Sequence, residues 1–374
     1  MSERVYIRPI GFAPGPQHEH GNAIRLAGGM VYASRFAVLV RRAEEGGGAV
    51  VERWLTGADR IEEVLAKLPA GLTAEAEAQW ANLRLAHPPL ALGPRTVRLD
   101  QPQVVGILNV TPDSFSDGGR HADPEAGRAH AAAMVEAGAA ILDIGGESTR
   151  PGAQGVWEGD EIARVVPAIE GCAAMGAAVS VDTRKSAVME AALDAGAAMV
   201  NDVSGLAFDA RSAAVVAARG CPVVLMHAPG ARGEELHEGG DYASVVFDVF
   251  DALRDRRDAA LAAGIAAEKI VLDPGIGFGK TLAHSTALIN ALPLFHALGH
   301  PLMLGASRKR LIGALSNEAP ADQRLGGSLA LALAGMDAGV QLLRVHDVPE
   351  TVQARNVWRG LRDAALTDFS DLPD

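Results

Sequence analysis

Polar and charged side chains that could bind a small polar substrate recur along the chain, each directly after a short apolar run. In chain order they are Asn109, Asp143, Asp182, Asn201 with Asp202, His227, Asp273, the stretch 307–310, and Arg344 with His346. Carboxylates accept hydrogen bonds, amides both donate and accept them, and Lys, Arg and His can neutralise anions. A single aspartate after a strand often caps the next helix. A succession of such residues instead predicts a polar active site.

The apolar runs before these residues predict eight strands: 104–108, 140–144, 178–181, 198–200, 222–226, 270–272, 301–304 and 341–345. Ala-rich amphipathic stretches between them predict helices, among them 124–137, 185–195, 246–263 and 327–338. Eight strand–helix units over roughly 260 residues are typical of an α/β fold of the (β/α)8 TIM barrel type, in which the carboxyl ends of the strands share one face. A doubly wound sheet is the alternative, but the first strand is followed by Asn109-Val110-Thr111-Pro112 and not by G-x-G-x-x-G.

Ahead of the barrel, residues 1–95 predict a small α+β extension whose role the sequence does not reveal. Short strands are expected at 30–33, 36–41 and 50–54, a turn at 44–48, and helices after Asp59 as N-cap and over 73–85. The Pro and Gly residues of 88–94 predict a linker. Residues 1–28 show no period and are not assigned to an element, and the pair His18 and His20 is interpreted as part of a mobile polar segment rather than a metal site. The barrel domain is expected to span 96–365.

Composition excludes several classes of function. The formal charge is −12, with 48% apolar and 21% charged residues, which argues against a disordered chain and against a general binder of nucleic acid or anionic membranes. No apolar run approaches the roughly 18 residues of a membrane span, and the first residues lack the apolar core of a signal peptide. The two cysteines, Cys172 and Cys221, suit a reducing compartment. We therefore expect a cytoplasmic protein.

Two glycine-containing loops, 111–119 and 145–152, have the length and composition of lids over an active site. The segment 274–281 resembles a phosphate-binding P-loop, but Pro274 stands where that motif requires glycine. His227 has no neighbouring histidine partner, which weakens the case for a metal hydrolase.

Taken together, these segments resemble the dihydropteroate synthase family. The matching stretches are 106–119 (GILNVTPDSFSDGG), 143–152 (DIGGESTRPG), 181–183 (VDT), 201–203 (NDV), 273–280 (DPGIGFGK), 307–309 (SRK) and 344–348 (RVHDV). They occur in the family's order and cover the chain from about 102 to 362, whereas the first 100 residues fall outside the resemblance. One exception is a hairpin near Thr96–Leu99 that could close the bottom of the barrel.

The resemblance implies displacement of pyrophosphate from 6-hydroxymethyl-7,8-dihydropterin pyrophosphate by p-aminobenzoate, by an SN1-like path with Mg²⁺. Buried carboxylates suit the donor edge of a pterin, and a leaving pyrophosphate needs positive charge. By resemblance, the catalytic residues are Asn109, Asp117, Arg150, Lys309, Arg344 and His346. The pterin contacts are Asp182, Asn201, Met226, Asp273, Phe278 and Lys309. The p-aminobenzoate contacts are Phe115, Thr149, Arg150, Pro151 and Arg310. The pyrophosphate contacts are Asn109, Arg344 and His346, with Asn109 also the Mg²⁺ ligand.

Some residues are interpreted more conservatively. Asp143 and Glu147 are expected to hold Arg150 or the backbone of the second loop, and Arg308 and Lys280 to form surface ion pairs. Arg310 departs from the family's sequence pattern, because many family members have serine there.

Two alternative functions are a pterin-binding methyltransferase domain and a non-catalytic paralogue. The resemblance further implies a homodimer formed through barrel helices, with small-molecule substrates and neither nucleic acid nor membrane as partner.

Overall fold

The N-terminal extension is a four-stranded antiparallel sheet with helices packed on one face. The structure, a computed structural model, describes residues 3–19, 21–43, 49–111, 124–148, 152–230 and 233–366. Within the sheet, the third strand pairs with all three others. The elements are β1 (Glu3–Ala13), β2 (Ile24–Arg25), β3 (Tyr32–Ala43), β4 (Ala49–Gly57), α1 (Ile61–Leu65) and α2 (Ala70–Leu83).

Several expectations for the extension were wrong in detail. Strand β1 was left unassigned, because Val5, Tyr6 and Ile7 are all buried and a strand covered on both faces shows no alternation. The expected strands 30–33 and 36–41 form a single strand, β3. Asp59 lies in a 3-10 turn, and α1 has no side-chain cap. The turn 44–48 and His20 lie outside the described residues.

A short hairpin, β5 (Leu90–Leu92) and β6 (Arg95–Val97), lies where a linker was expected around 88–94. Its apolar side chains pack with Leu99 against the residues that point into the barrel from its lower end. The hairpin therefore closes the bottom of the barrel, as expected from the resemblance, although it begins a few residues earlier than predicted.

Eight parallel strands form the barrel, which confirms the predicted fold class. They are β7 (Gln103–Asn109), β8 (Ile141–Gly145), β9 (Val179–Asp182), β10 (Met199–Asp202), β11 (Val223–Met226), β12 (Ile270–Asp273), β13 (Met303–Leu304) and β14 (Leu342–Val345). Each strand from β7 to β11 pairs with the next one in the chain, β13 pairs with β14, and β14 pairs back to β7. An isolated bridge between Leu272 and Leu302 links β12 to the segment leading into β13. The sheet is therefore closed.

Helices surround this sheet. They are α3 (Pro124–Glu136), α4 (Glu158–Ala174), α5 (Ser186–Asp194), α6 (Ser212–Arg219), α7 (Val245–Ala262), α8 (Leu282–Asn290), α9 (Leu292–Phe295), α10 (Arg310–Leu315), α11 (Leu325–Asp337) and α12 (Val348–Ala365). Within the described ranges, none of the helices has the length and apolar character needed to cross a bilayer.

The barrel interior is layered, because alternate residues of each strand point inward. The lowest layer is apolar and packs on the hairpin: Val105, Ile141, Ala178, Met199, Val224, Val271, Met303 and Leu342. Two residues further along, five of the eight inward positions are polar, namely Asp143, Ser180, Asn201, Asp273 and Arg344, and the other three are Ile107, Met226 and Gly305. The strands thus place a polar layer directly above an apolar one.

The extension packs onto the barrel through Tyr6. Its ring centroid lies 4.4 Å from that of Phe247 and 5.4 Å from that of Phe250, both on α7, and its hydroxyl donates to Asp251 Oδ2 at 2.9 Å. Arg41 of β3 also pairs with Asp248 of the same helix at 2.6 Å. The apolar residues of the extension and of the barrel helices form one continuous core.

We expect Tyr6→Ala to lower the free energy of unfolding by about 3–5 kcal/mol, because it leaves a cavity between two packed layers. Leu55→Ala, at a position 62% exposed on the same sheet, is the control and should change stability by less than about 0.5 kcal/mol. Chemical denaturation measures both, and similar small effects for the two variants would contradict a shared core.

Candidate active site

A cation held between two carboxylates occupies the centre of the polar layer. Arg344 donates from Nε to Asp143 Oδ2 and from a terminal nitrogen to Asp182 Oδ2, both at 2.6 Å. Asn201 Nδ2 donates to the same Asp143 oxygen at 2.9 Å. Strands β8, β9, β10 and β14 therefore contribute one connected network, and we call these four residues the central network.

Asp143 was expected to hold Arg150 or the loop backbone, and the structure instead places it in the central network. Its side chain is buried, and its second oxygen, Oδ1, has no hydrogen-bond partner among the described residues. The strand register carried the signal for this role, because Asp143 lies at an inward position at the same level as Asn201 and Arg344.

Burial determines the electrostatics of this layer. Desolvation raises the pKa of Asp182 above its usual range, although the neighbouring Arg344 opposes the shift. Desolvation also raises the pKa of Asp273, which Lys309 opposes. Burial disfavours the charge of Arg344 too, but Asp143 and Asp182 outweigh it and raise the pKa of the guanidinium. The pKa of each of these groups therefore depends on the charges of its neighbours.

Two glycines lie beside these groups. A Cβ added to Gly145 would lie 3.7 Å from Asp182 Oδ2 and 3.8 Å from Asn109 Oδ1, and one added to Gly305 would lie 3.8 Å from Asp273 Oδ2. The charges of Asp182 and Asp273 both act on Lys309 and on Arg344, so these four groups lie close together at the upper end of the barrel, which we call the opening.

Lys309 lies across this opening, next to the turn that follows β12. Its ammonium nitrogen donates to the Ile276 carbonyl and lies 4.6 Å from the centroid of the Phe278 ring. Burial lowers the pKa of Lys309 to about 8, with Asp273 opposing the shift. The His237 ring stacks on the Phe278 ring, with 5.3 Å between the two ring centroids. Phe278 and the buried Met226 belong to one small apolar cluster, so the structure brings both predicted ring contacts together.

Lys280 was expected to form a surface ion pair, and this was wrong. Its ammonium nitrogen points inward and contacts His227 Nδ1 at 3.0 Å, the Gly275 carbonyl at 2.8 Å and the Phe278 carbonyl at 3.0 Å. It forms no salt bridge within the part of the chain that the structure describes. His227, which stood alone in the sequence, is its partner.

The segment after β13 supplies a second set of groups. Ser307 Oγ lies 3.1 Å from His346 Nδ1 and accepts from the His346 backbone N–H at 3.2 Å. Arg308 pairs with Asp347, as expected for a residue with a structural role. Arg310 is the predicted site residue left apart, because its side chain is 81% exposed and lies 3.4 Å from Glu318.

The second loop is tied at its base by buried charges. Glu147 accepts from the backbone N–H of Val156 at 3.0 Å, four residues beyond the loop 145–152 whose backbone it was expected to hold. Lys185 donates to the Val156 carbonyl and to Glu161 Oε2, each at 2.6 Å, and lies 3.2 Å from Glu147. Five predicted site residues lie outside the described residues: Phe115, Asp117, Thr149, Arg150 and Pro151.

A metal ion would find few protein ligands here. No cluster of three or more His, Cys, Asp or Glu side chains able to hold a metal occurs in the described ranges. Asn109 lies at the end of β7, and its amide oxygen would be 3.8 Å from a Cβ on Gly145, as Asp182 Oδ2 would be at 3.7 Å. One neutral oxygen ligand fits Mg²⁺, which keeps several waters and commonly binds through substrate phosphates.

Comparison with known proteins agrees with this geometry. The family model described as pterin binding enzyme matches residues 105–346. A dihydropteroate synthase from Mycobacterium leprae is 45% identical over 260 residues, which are 68% of this chain and 92% of that protein. A Haloferax volcanii protein named a probable bifunctional folylpolyglutamate synthase/dihydropteroate synthase is 46% identical over 264 residues, and the match spans 31% of its length.

Solved structures match as well. The dihydropteroate synthase of Xanthomonas albilineans with 4-aminobenzoic acid has a TM-score of 0.70 and 44% identity, and the alignment covers 77% of this chain and 100% of that one. The same enzyme in complex with 7,8-dihydropteroate has a TM-score of 0.66 and 42% identity, over 76% of this chain and 100% of that one.

We expect Arg344→Met to lower the free energy of unfolding by about 3–5 kcal/mol, because it leaves Asp143 and Asp182 buried without a cation. Without that cation the folded-state pKa of Asp182 lies still further above its unfolded value. The loss should therefore be small below about pH 4, where both states are protonated, and grow as the pH rises through the folded-state pKa.

Denaturation at several pH values measures this loss. Arg310→Met, at an exposed arginine, is the control and should change stability by less than about 0.5 kcal/mol. Adding Asp143→Asn to Arg344→Met should recover part of the stability. A loss that is the same at every pH would show that packing, and not the buried charge, is responsible.

Proposed function

The chain belongs to the family of pterin-binding enzymes, and we propose that it is a dihydropteroate synthase, a transferase of folate biosynthesis. It condenses 6-hydroxymethyl-7,8-dihydropterin pyrophosphate with p-aminobenzoate to give 7,8-dihydropteroate and pyrophosphate. The observation that supports this most strongly is the opening bordered by Asp182, Asp273 and Lys309 above the central network.

The acceptors suit a pterin. Its edge presents amino and ring N–H groups side by side, and a site built from buried acceptors rejects analogues that lack those donors, since the acceptors would then stay unpaired. We assign Asp182 and Asp273 as acceptors for that edge, with Asn201 beside them. Lys309 can donate to a ring oxygen or nitrogen, and Phe278 and Met226 offer apolar contacts to the ring faces.

The leaving pyrophosphate requires positive charge as the bond to it breaks. We assign Arg344, His346 and Asn109 to this group. Arg344 uses Nε and one terminal nitrogen for Asp143 and Asp182, so other N–H groups of the guanidinium can reach a phosphate oxygen. Asn109 would hold Mg²⁺ through its amide oxygen, where the ion would neutralise charge on the phosphates. The cations Arg344 and Lys309 provide a positive site within a chain whose formal charge is −12.

No covalent protein nucleophile is needed. The C–O bond between the pterin methylene and pyrophosphate breaks first, since the electron-rich pterin can stabilise the resulting cation. The amine of p-aminobenzoate then forms the C–N bond and loses a proton. We assign the p-aminobenzoate contacts to Phe115, Thr149, Arg150, Pro151 and Arg310, with Asp117 on the other loop, and the loops would exclude water from the cation.

We place all of this chemistry in the domain 96–365, which contains every assigned residue, and the extension 1–95 contributes none. We also propose that the enzyme works in the cytoplasm, in keeping with its two unpaired, buried cysteines, Cys172 and Cys221. A homodimer formed through barrel helices remains part of the proposal, and analytical ultracentrifugation tests it.

The direct test is incubation with the pterin pyrophosphate, p-aminobenzoate and Mg²⁺, followed by measurement of pyrophosphate release. We expect release that depends on both substrates, that stops when EDTA removes the metal and that resumes when Mg²⁺ is restored. A sulfonamide should compete with p-aminobenzoate. A folded protein that releases no pyrophosphate with both substrates present would overturn the assignment.

We expect Asp182→Ala and Lys309→Ala to weaken binding of the pterin pyrophosphate by at least about 100-fold, since each removes a charged hydrogen-bonding group from a partly desolvated site. Calorimetry measures the dissociation constants. Lys67→Ala, at an exposed lysine of the extension, is the matched control and should bind normally. Normal pterin affinity in either site variant would refute the role given to that residue.

A further inference from the structure

The turn that follows β12 encloses a lysine. Residues 274–280, the segment that resembles a P-loop without matching it, fold around the ammonium group of Lys280. Four acceptor atoms surround its nitrogen: His227 Nδ1, and the carbonyl oxygens of His227, Gly275 and Phe278, at 2.8–3.3 Å. An ammonium has N–H donors and no acceptor, so it draws these groups toward one point.

The turn can bend around Lys280 because glycine occupies its tightest positions. Gly275 and Gly279 have φ values of +67° and +56°, a region that side chains with a Cβ rarely adopt. A Cβ on Gly275 would collide with the His227 carbonyl, and one on Gly279 with Pro229. The turn therefore lies directly against the segment after β11, and Lys280 bridges the two.

His227 presents the matching acceptor. Burial lowers its pKa to about 3, so the ring is neutral at ordinary pH, and Nδ1 can accept from Lys280 while Nε2 carries the hydrogen. Burial also lowers the pKa of Lys280 to about 7, with the charge of Lys309 contributing in the same direction. The two lysines face the turn from different sides.

The same turn also contacts Lys309. The Gly275 and Phe278 carbonyls point to Lys280, whereas the Ile276 carbonyl between them points to Lys309. The Phe278 ring packs against the same ammonium group. From the other end, Asp273 Oδ1 accepts from the Gly275 N–H at 2.7 Å. The Ile276 carbonyl lies between two residues whose carbonyls contact Lys280, so the conformation of the turn sets where Lys309 can donate its hydrogen bond.

We propose that Lys280 is a positioning residue of the pterin subsite: by holding the Gly275 and Phe278 carbonyls against His227, it fixes the turn whose Ile276 carbonyl and Phe278 ring orient Lys309. This inference rests on the proposed function, because it assumes that Lys309 and Phe278 contact a pterin. Lys280 itself need not touch the substrate.

Lys280→Met tests the proposal, because methionine has a similar length and apolar stem but cannot hold the carbonyl groups. We expect the dissociation constant of the pterin pyrophosphate, measured by calorimetry, to rise about 10- to 100-fold. The KM for p-aminobenzoate at saturating pterin should change by less than about twofold. Lys280→Arg keeps a donating cation and should recover part of the affinity, and Lys67→Met is the control.

A second measurement needs no substrate. Hydrogen–deuterium exchange of the peptide covering 274–281 should become at least about tenfold faster in Lys280→Met, while the strands on the opposite side of the barrel, such as β8, stay unchanged. If Lys280→Met does not fold, His227→Leu removes one acceptor of the same ammonium. It should then show a smaller effect of the same kind, about threefold to tenfold on pterin affinity.

These experiments distinguish failure of the proposed function from failure of the positioning role of Lys280. Wild-type protein that neither binds the pterin pyrophosphate nor releases pyrophosphate would overturn the proposed function, whereas the exchange comparison would still report on the turn. Pterin affinity within about twofold of wild type in Lys280→Met would overturn the positioning role, and so would an equal loss for both substrates or unchanged exchange over 274–281.

Discussion

The contact between Arg344 and the two carboxylates of Asp143 and Asp182 is the interaction on which the rest of the barrel depends. Closing eight strands brings Asp143, Asp182 and Asp273 toward one axis, where desolvation opposes the ionisation of Asp182 and Asp273 and the neighbouring Asp143 adds to the effect on Asp182. The Arg344 guanidinium between Asp143 and Asp182 stabilises the closed barrel, because it forms directional, charge-assisted hydrogen bonds to both. The apolar layer and hairpin below the network then exclude water from that side.

Lysines extend the same principle toward the opening. Lys309 and Lys280 lie on different sides of one glycine-containing turn, and each is held by backbone carbonyls rather than by a carboxylate. Carbonyl groups fix an ammonium without neutralising it. The site therefore keeps positive charge for an anionic substrate, although the chain as a whole is acidic.

The N-terminal sheet is harder to identify from the sequence pattern than the barrel is. Around Tyr6 and Phe36 it is covered on both faces, by α7 of the barrel on one side and by α2 on the other, as the contacts of Tyr6 with Phe247 and of Phe36 with Trp80 show. Burial on both faces removes the alternation of apolar and polar residues that identifies a strand. This explains why β1 could not be predicted.

The sequence by itself determined the barrel and the polar residues that follow its strands, because strand period and strand ends are local properties. A run of apolar residues followed by Asn, Asp, His or Arg specifies an inward or terminal position whatever the rest of the chain does. The sequence did not determine which side chains contact one another. Asp143 and Lys280 were misjudged, since each meets its partners, Arg344 and His227, only when distant strands become neighbours. Which oxygen faces which cation depends on distances of a few ångströms between segments far apart in the chain, and only the tertiary structure sets them.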